Sequence, residues 1–189
     1  MNAAEQIVEQ YLQLCCGCFT MADRKVKDGN NRQLDILAIN PEKKTQYHVE
    51  VSVTHMLNWR PDLAKLREEF ERKFHGTPPR REGRQTDFEK NKSYLKCIEN
   101  TYCEVGLDPN KIQRVFCCWV PKEPGKLQDF LSDYAEETGL RIEIWSLRDK
   151  IITELLEKIN TTNYDHPILR TMSLLRQREL QQNVSKNQK

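Results

Sequence analysis

Two apolar runs in the first third of the chain, Gln33 to Asn40 and Gln46 to Val53, each carry an acidic residue in the middle. Their length and composition predict strands, and the turn-forming Asn40 to Lys44 between them predicts an antiparallel hairpin. Asp and Glu are poor strand formers, so Asp35 and Glu50 ask for a reason beyond propensity. In the second run a period of two places Tyr47, Val49, Val51 and Val53 on one face and His48, Glu50 and Ser52 on the other. The first face reads as core and the second as the face that carries chemistry.

The same reading extends over the rest of the chain. Ile7, Val8, Tyr11, Leu12 and Leu14 recur at helical spacing over residues 3–15, with Gly17 as a stop. Residues 19–27 predict a first strand, and Asp28 to Asn31 is a turn signal before the hairpin. A helical run follows over 62–74, then a Gly-, Pro- and Arg-rich loop over 75–84 that excludes regular structure. A long helix over 87–102 has Phe88, Leu95, Ile98 and Tyr102 along one stripe, and 112–120 reads as a fully buried strand. A helix from 123 or 124 to 138 ends at Gly139; a strand over 141–146 and a helix over 147–159 complete the domain. From Thr161 the chain is polar, weakly helical over 168–180, and expected to fray beyond Leu180.

The chain has 189 residues, 31% of them charged, and a net charge of +2. That length suits one domain, 1–160, with a C-terminal segment over 161–189. The weak net charge leaves any basic surface local. No stretch approaches the ~18 to 20 apolar residues of a membrane span, and the first residues lack a basic region leading into an apolar one. No membrane association and a cytoplasmic location are therefore expected. Seven cysteines, several inside apolar segments, read as buried thiols of a reducing compartment. The Cys15, Cys16, Cys18 cluster lacks the two-residue spacer and second pair of a zinc site. With seven glycines and no phosphate-cradling loop, nucleophile elbow or dinucleotide fingerprint, a kinase, serine hydrolase or dehydrogenase is not expected.

Two carboxylates on neighbouring strands can share a hard divalent cation, which relieves their mutual repulsion. The plain alternative leaves Asp35 and Glu50 at strand edges, solvated or paired with Arg32, Lys43 or Lys44. The element order decides the emphasis. Helix, three meandering strands, helix, strand resembles the αβββαβ core of the restriction-endonuclease-like nucleases, the PD-(D/E)XK superfamily, over residues 3–120. In that family an Asp sits in the second strand and a Glu in the third, followed two residues later by a Lys. Asp35 and Glu50 match the acids, with fourteen residues between them. The opening helix, with Glu5 six residues before Tyr11 and Leu12, is similar to that of Holliday-junction-resolvase-like members and would supply a third acid; Glu9 lies one turn further on nearly the same face.

The resemblance implies an α/β fold with a mixed sheet flanked by helices, here extended by a C-terminal helix, strand and helix. It further implies a divalent-metal-dependent nuclease that hydrolyses phosphodiester bonds. Asp35, Glu50 and the Val51 carbonyl would hold Mg²⁺ or Mn²⁺, and Glu5 would assist. Ser52 departs from the pattern, since it stands where the family has Lys. Lys92, which borders the apolar stripe of the 87–102 helix, is the replacement that helical periodicity favours; Lys90 points away. His48 and His55 are further candidates for a base or ligand. Arg80, Arg81, Arg84 and Lys90 would grip phosphates of a nucleic acid, DNA in the first place, and Trp59 would stack on a base. The loss of the lysine supports a rival expectation, a catalytically inactive nuclease-fold protein acting as a nucleic-acid-binding or protein-assembly module. A homodimer is a further expectation, carried by the apolar positions Ile168, Leu169, Met172, Leu174 and Leu175 of the last helix.

Overall fold

The protein is described by a computed structural model that covers residues 1–29, 31–54, 56, 60–76 and 88–187, without the side chains of 88–93 and 183–187. Helix α1 (Ala3–Leu14) precedes three strands, β1 (Phe19–Lys25), β2 (Gln33–Asn40) and β3 (Thr45–Ser52). Helix α2 (Leu63–Phe70) runs into a π-helical turn, Glu71–His75, and α3 (Phe88–Glu104) leads to β4 (Ile112–Cys118). Helix α4 (Leu127–Thr138), strand β5 (Ile142–Ser146), a second π-helical turn (Leu147–Ile152) with α5 (Thr153–Lys158), and α6 (Pro167–Asn187) follow.

The five strands form one mixed sheet in the order β1-β2-β3-β4-β5. β1, β2 and β3 are antiparallel, while β3, β4 and β5 are parallel. Tight turns serve the antiparallel pairs, and the parallel pairs need helical crossovers to bring the chain back. The chain is α/β, as expected.

Local chemistry explains the element ends. Asn2 caps α1: its side chain accepts the Glu5 backbone N–H at 3.0 Å, and Glu5 accepts the Asn2 backbone N–H at 2.8 Å, a reciprocal capping box. Gly17, at φ +64°, takes the left-handed turn that lets Cys18 N–H reach the Leu12 carbonyl at 2.9 Å. Asp62 caps α2 through the Lys65 N–H at 2.9 Å. Gly139, at φ +74°, ends α4 as the sequence predicts.

The sheet is covered on both sides. Val8, Tyr11 and Leu12 of α1 pack with Ile36, Val49, Val51, Val115 and Trp145 on one side. On the other, Leu66, Phe70 and Phe74 pack with Phe116, Tyr134 and Ile142, and Ile98 and Tyr102 of α3 pack with Leu34, Leu37 and Ile112.

Three expectations change. The His48, Glu50 and Ser52 face, read as chemistry in contrast to the core face, is itself covered: α3 and the π-helical turn pack over it, so that His48 and Glu50 are each 0% exposed. The helical run over 62–74 switches to π geometry at Glu71, which redirects every side chain after Phe70. The segment expected to fray beyond Leu180 continues α6 to Asn187, because the packing of Leu169 and Met172 on Leu155 and Ile159 fixes the helix from which it propagates. The loop read over 75–84 lies outside the described residues from Thr77 onward.

Candidate functional site

The strand ladder opens at Asp35. Pairing between β2 and β3 runs from Asn40 and Thr45 to Ile36 and Val49 and stops there. On the other flank, β1 pairs Ala22 with Ile36 and Arg24 with Leu34 but skips Asp23, whose φ is +55°. Asp tolerates that left-handed backbone better than most residues. β3 itself continues along β4 to the Ser52 and Cys118 pair. The Asp35 side chain fills the gap, and its Oδ2 accepts the Val51 N–H at 2.8 Å in place of a backbone carbonyl.

Lys73 enters the same gap from the π-helical turn. Its Nζ donates to Asp35 Oδ2 at 2.9 Å and stands 2.7 Å from Glu50 Oε2. The two carboxylates therefore lie far within the ~10 Å beyond which they could not share one cation with ~2.0 to 2.6 Å bonds. Behind Lys73, Arg32 Nη1 donates to the Lys73 carbonyl at 3.0 Å and braces the turn.

Glu50 is oriented from the other side. His48 Nε2 lies 2.7 Å from Glu50 Oε1, and His48 Nδ1 lies 2.7 Å from the Tyr102 hydroxyl. Glu50 as a carboxylate only accepts, which assigns the proton to His48 Nε2 and makes the Tyr102 O–H the donor to Nδ1. Phe74 and Tyr102 meet the imidazole edge-on at 5.1 and 5.6 Å between ring centres. Arg114 lies 5.9 Å from the centre of the Tyr102 ring, with its Nε buried and without a hydrogen-bond partner.

These surroundings separate the two acids. Burial pushes the Glu50 carboxyl upward, but the Lys73 charge and the His48 hydrogen bond outweigh it and bring the group down to about 2. Burial and the neighbouring Glu50 charge push Asp35 up to about 7, against the opposing pull of Lys73 and the Val51 N–H. Burial lowers Lys73, yet Glu50 and Asp35 together leave it raised. His48 is lowered by burial, opposed by Glu50, and stays neutral. Two acids whose surroundings push their titrations apart in one cleft are an arrangement found where proton or cation chemistry takes place and also in internal ion-pair networks.

Of the sequence-predicted residues, Asp35, Glu50, Val51 and His48 meet here, and Ser52 follows at the end of β3 on the Glu50 side. Glu5 does not join them. Its oxygens take the Asn2 backbone N–H at 2.8 Å and the Asn2 side-chain amide at 2.6 Å, and α1 packs on the opposite face of the sheet. Glu9 accepts the Thr20 hydroxyl at 2.9 Å. Lys90 and Lys92 belong to α3, but their side chains lie outside the described residues, as do His55, Trp59, Arg80, Arg81 and Arg84. All seven cysteines are free thiols, and among the described residues no group of three or more His, Cys, Asp or Glu gathers as a metal cage.

Lys73 and the polar role of Tyr102 are absent from the sequence reading, which offered Arg32 only as a direct partner of the acids and not as the brace of the turn that carries Lys73. For Lys73 a signal existed: at 100° per residue it falls about 60° from Phe70, beside the buried Phe70 and Phe74 stripe. Nothing in the sequence says that this helix crosses the Glu50 strand. Comparison with protein-family models, curated proteins and solved structures finds no match to this chain.

Proposed function

We propose that this chain is a divalent-metal-dependent nuclease whose site is the opening between β2 and β3. The observation that carries the reading is the convergence of Asp35 and Glu50 on one ammonium, where Asp35 leaves the strand ladder. The donors fit Mg²⁺ or Mn²⁺: both are hard carboxylates, Mg²⁺ needs only one or two of them beside water and substrate phosphate, and the Glu50 charge that raises Asp35 is the repulsion a cation relieves. Asp35 and Glu50 would hold the ion, with the Val51 carbonyl as a further oxygen. When bound, the ion supplies charge neutralisation at the phosphate and a water acidified for attack. Glu50 is held ionised and aimed by His48. Asp35 is positioned by the Val51 N–H, and a bound cation would favour its ionised form as Lys73 does. Lys73 would replace the lysine that Ser52 does not provide: its ammonium, which lies between the two carboxylates, would meet the charge that develops on the attacked phosphate. Arg80, Arg81, Arg84 and Lys90 would contribute phosphate contacts, and the substrate would be nucleic acid, DNA first.

A specific observation favours a second reading. Lys73 already neutralises the acids from within a covered site, where its side chain is 15% exposed, so the cluster is also stable as an internal ion-pair core in an inactive binding module. The test is cleavage of labelled single-stranded, duplex and branched DNA and of RNA, with Mg²⁺ or Mn²⁺ present or chelated, with calorimetry of metal binding alongside. Metal-dependent cutting that falls on the order of 10²-fold or more in Asp35→Ala, Glu50→Ala and Lys73→Ala establishes the nuclease. No cutting and no metal binding by the folded wild type leaves the ion-pair core.

A further inference from the structure

On one edge of the sheet, β5 pairs with β4 alone, and among the described residues no strand lies beyond it. A groove of about 1170 Å³ runs along this edge, between Leu127 and Leu131 of α4 and the Tyr47, Trp145 and Lys150 side of the sheet. An open edge accepts any extended chain unless its side chains select one. The sequence of β5 and of the two residues just before it does select. Glu143, exposed, shares one face of the strand with Trp145, and Ile142 and Ile144 share the other; continuing the strand backwards by two residues puts the exposed Arg141 on the Glu143 face and Leu140 on the Ile142 face.

We infer that this edge takes a second copy of the chain, β5 against β5 antiparallel, about a twofold axis at Ile142. In that register Arg141 stands opposite Glu143 of the copy, and the symmetry makes the pair twice. The other face sets Ile142 against its own copy and Leu140 against Ile144, an apolar ladder that continues the Leu127 and Leu131 side of the groove. Moving the axis to Glu143 places Glu143 against itself and leaves Arg141 facing Trp145. Moving it to Ile144 removes both ion pairs. Directly opposed like charges destabilise a strand pair, and opposite charges favour it, so the same two residues admit the copy in one register and discourage other partners. Whichever set of β5 backbone groups faces outward, an axis on a residue is compatible with an antiparallel ladder, because its pairs alternate between hydrogen-bonded and non-hydrogen-bonded. Two five-stranded sheets then become one, through an isologous interface. The dimer does not depend on the metal chemistry.

Charge exchange tests it. Sedimentation equilibrium of the full chain over a wide concentration range should show a reversible dimer. Arg141→Glu and Glu143→Arg, each checked for folding by circular dichroism, should each raise the dimer dissociation constant by roughly tenfold or more. Mixing the two variants in equal amounts should restore dimers, because each charge then meets its opposite on the other chain. A variant carrying both substitutions should also pair, since the two charges have only traded places across the axis. A wild type that stays monomeric throughout overturns the inference. So do single variants that associate as tightly as wild type, which would move the contact to another surface such as the exposed leucines of α6, and so does a mixture of folded variants that stays monomeric.

Discussion

At the scale of single residues, Asp35 and Glu50 shift in opposite directions, and stability should record both in metal-free buffer. Glu50 lies below its ordinary value, at about 2. Between that value and about 4.5 the unfolded chain binds more protons than the native one, so this contribution is present above the unfolded value and is lost as pH falls through the window. Asp35 lies above its ordinary value, at about 7. Between about 3.8 and 7 the native state holds the extra proton, so its contribution is present at low pH and is lost as pH rises. Urea unfolding should therefore show a stability maximum from this pair near about pH 4 to 5. Asp35→Asn should flatten the decline between about pH 5 and 7, and an unchanged slope in that variant would remove Asp35 as its source. Lys73→Met leaves Glu50 buried and charged without its cation, and should cost about 3 to 5 kcal/mol. Adding Glu50→Gln to that variant should return much of the loss, since the uncompensated charge is then gone.

The elements show how Lys73 is delivered. α2 buries Leu66 and Phe70, and the π-helical turn adds one residue to the hydrogen-bonded ring, so that Phe74 stays in the core while Lys73 turns toward Asp35 and Glu50. Gly76 closes the turn at φ +78°, and a Cβ there would meet the Tyr94 Cβ at 2.5 Å. Gly76→Ala should destabilise the protein by about 1 to 3 kcal/mol, read as a lower urea midpoint at unchanged m-value. If the proposed chemistry holds, it should also lower cleavage, because the turn that carries Lys73 moves. Most elements were legible from periodicity and punctuation: α1 from its apolar spacing and Gly17, the hairpin from Asn40 to Lys44, and α4 from Gly139. The π turns were not, because Phe70, Phe74, Leu147 and Ile151 fit a 3.6-residue period about as well as the geometry they adopt.

For the whole molecule, both faces of one sheet are buried, and α6 closes the side on which α1 and α5 meet. Leu169 and Met172 cover Leu155 and Ile159, and the Ser173 hydroxyl donates to the Asn160 carbonyl at 2.9 Å. Ending the chain at Asn160 should cost on the order of 3 to 6 kcal/mol from the apolar side chains left uncovered, measurable as a drop in the thermal midpoint. An unchanged midpoint would mean that α6 is an appendage.

Short-range patterns alone carried the strands, read at 33–40 and 46–53 and found at 33–40 and 45–52, the acids within them, the helices between, and an α/β class. Period and turn chemistry act over a few residues and can be read there. Only the assembled molecule determined that the Glu50 face is buried, that Glu5 spends its oxygens capping its own helix, and that Lys73 joins Asp35 and Glu50. Each of these depends on which helix crosses which strand. The packing of Phe70, Phe74, Ile98 and Tyr102 on the sheet sets those crossings, through contacts between residues that lie far apart in the chain.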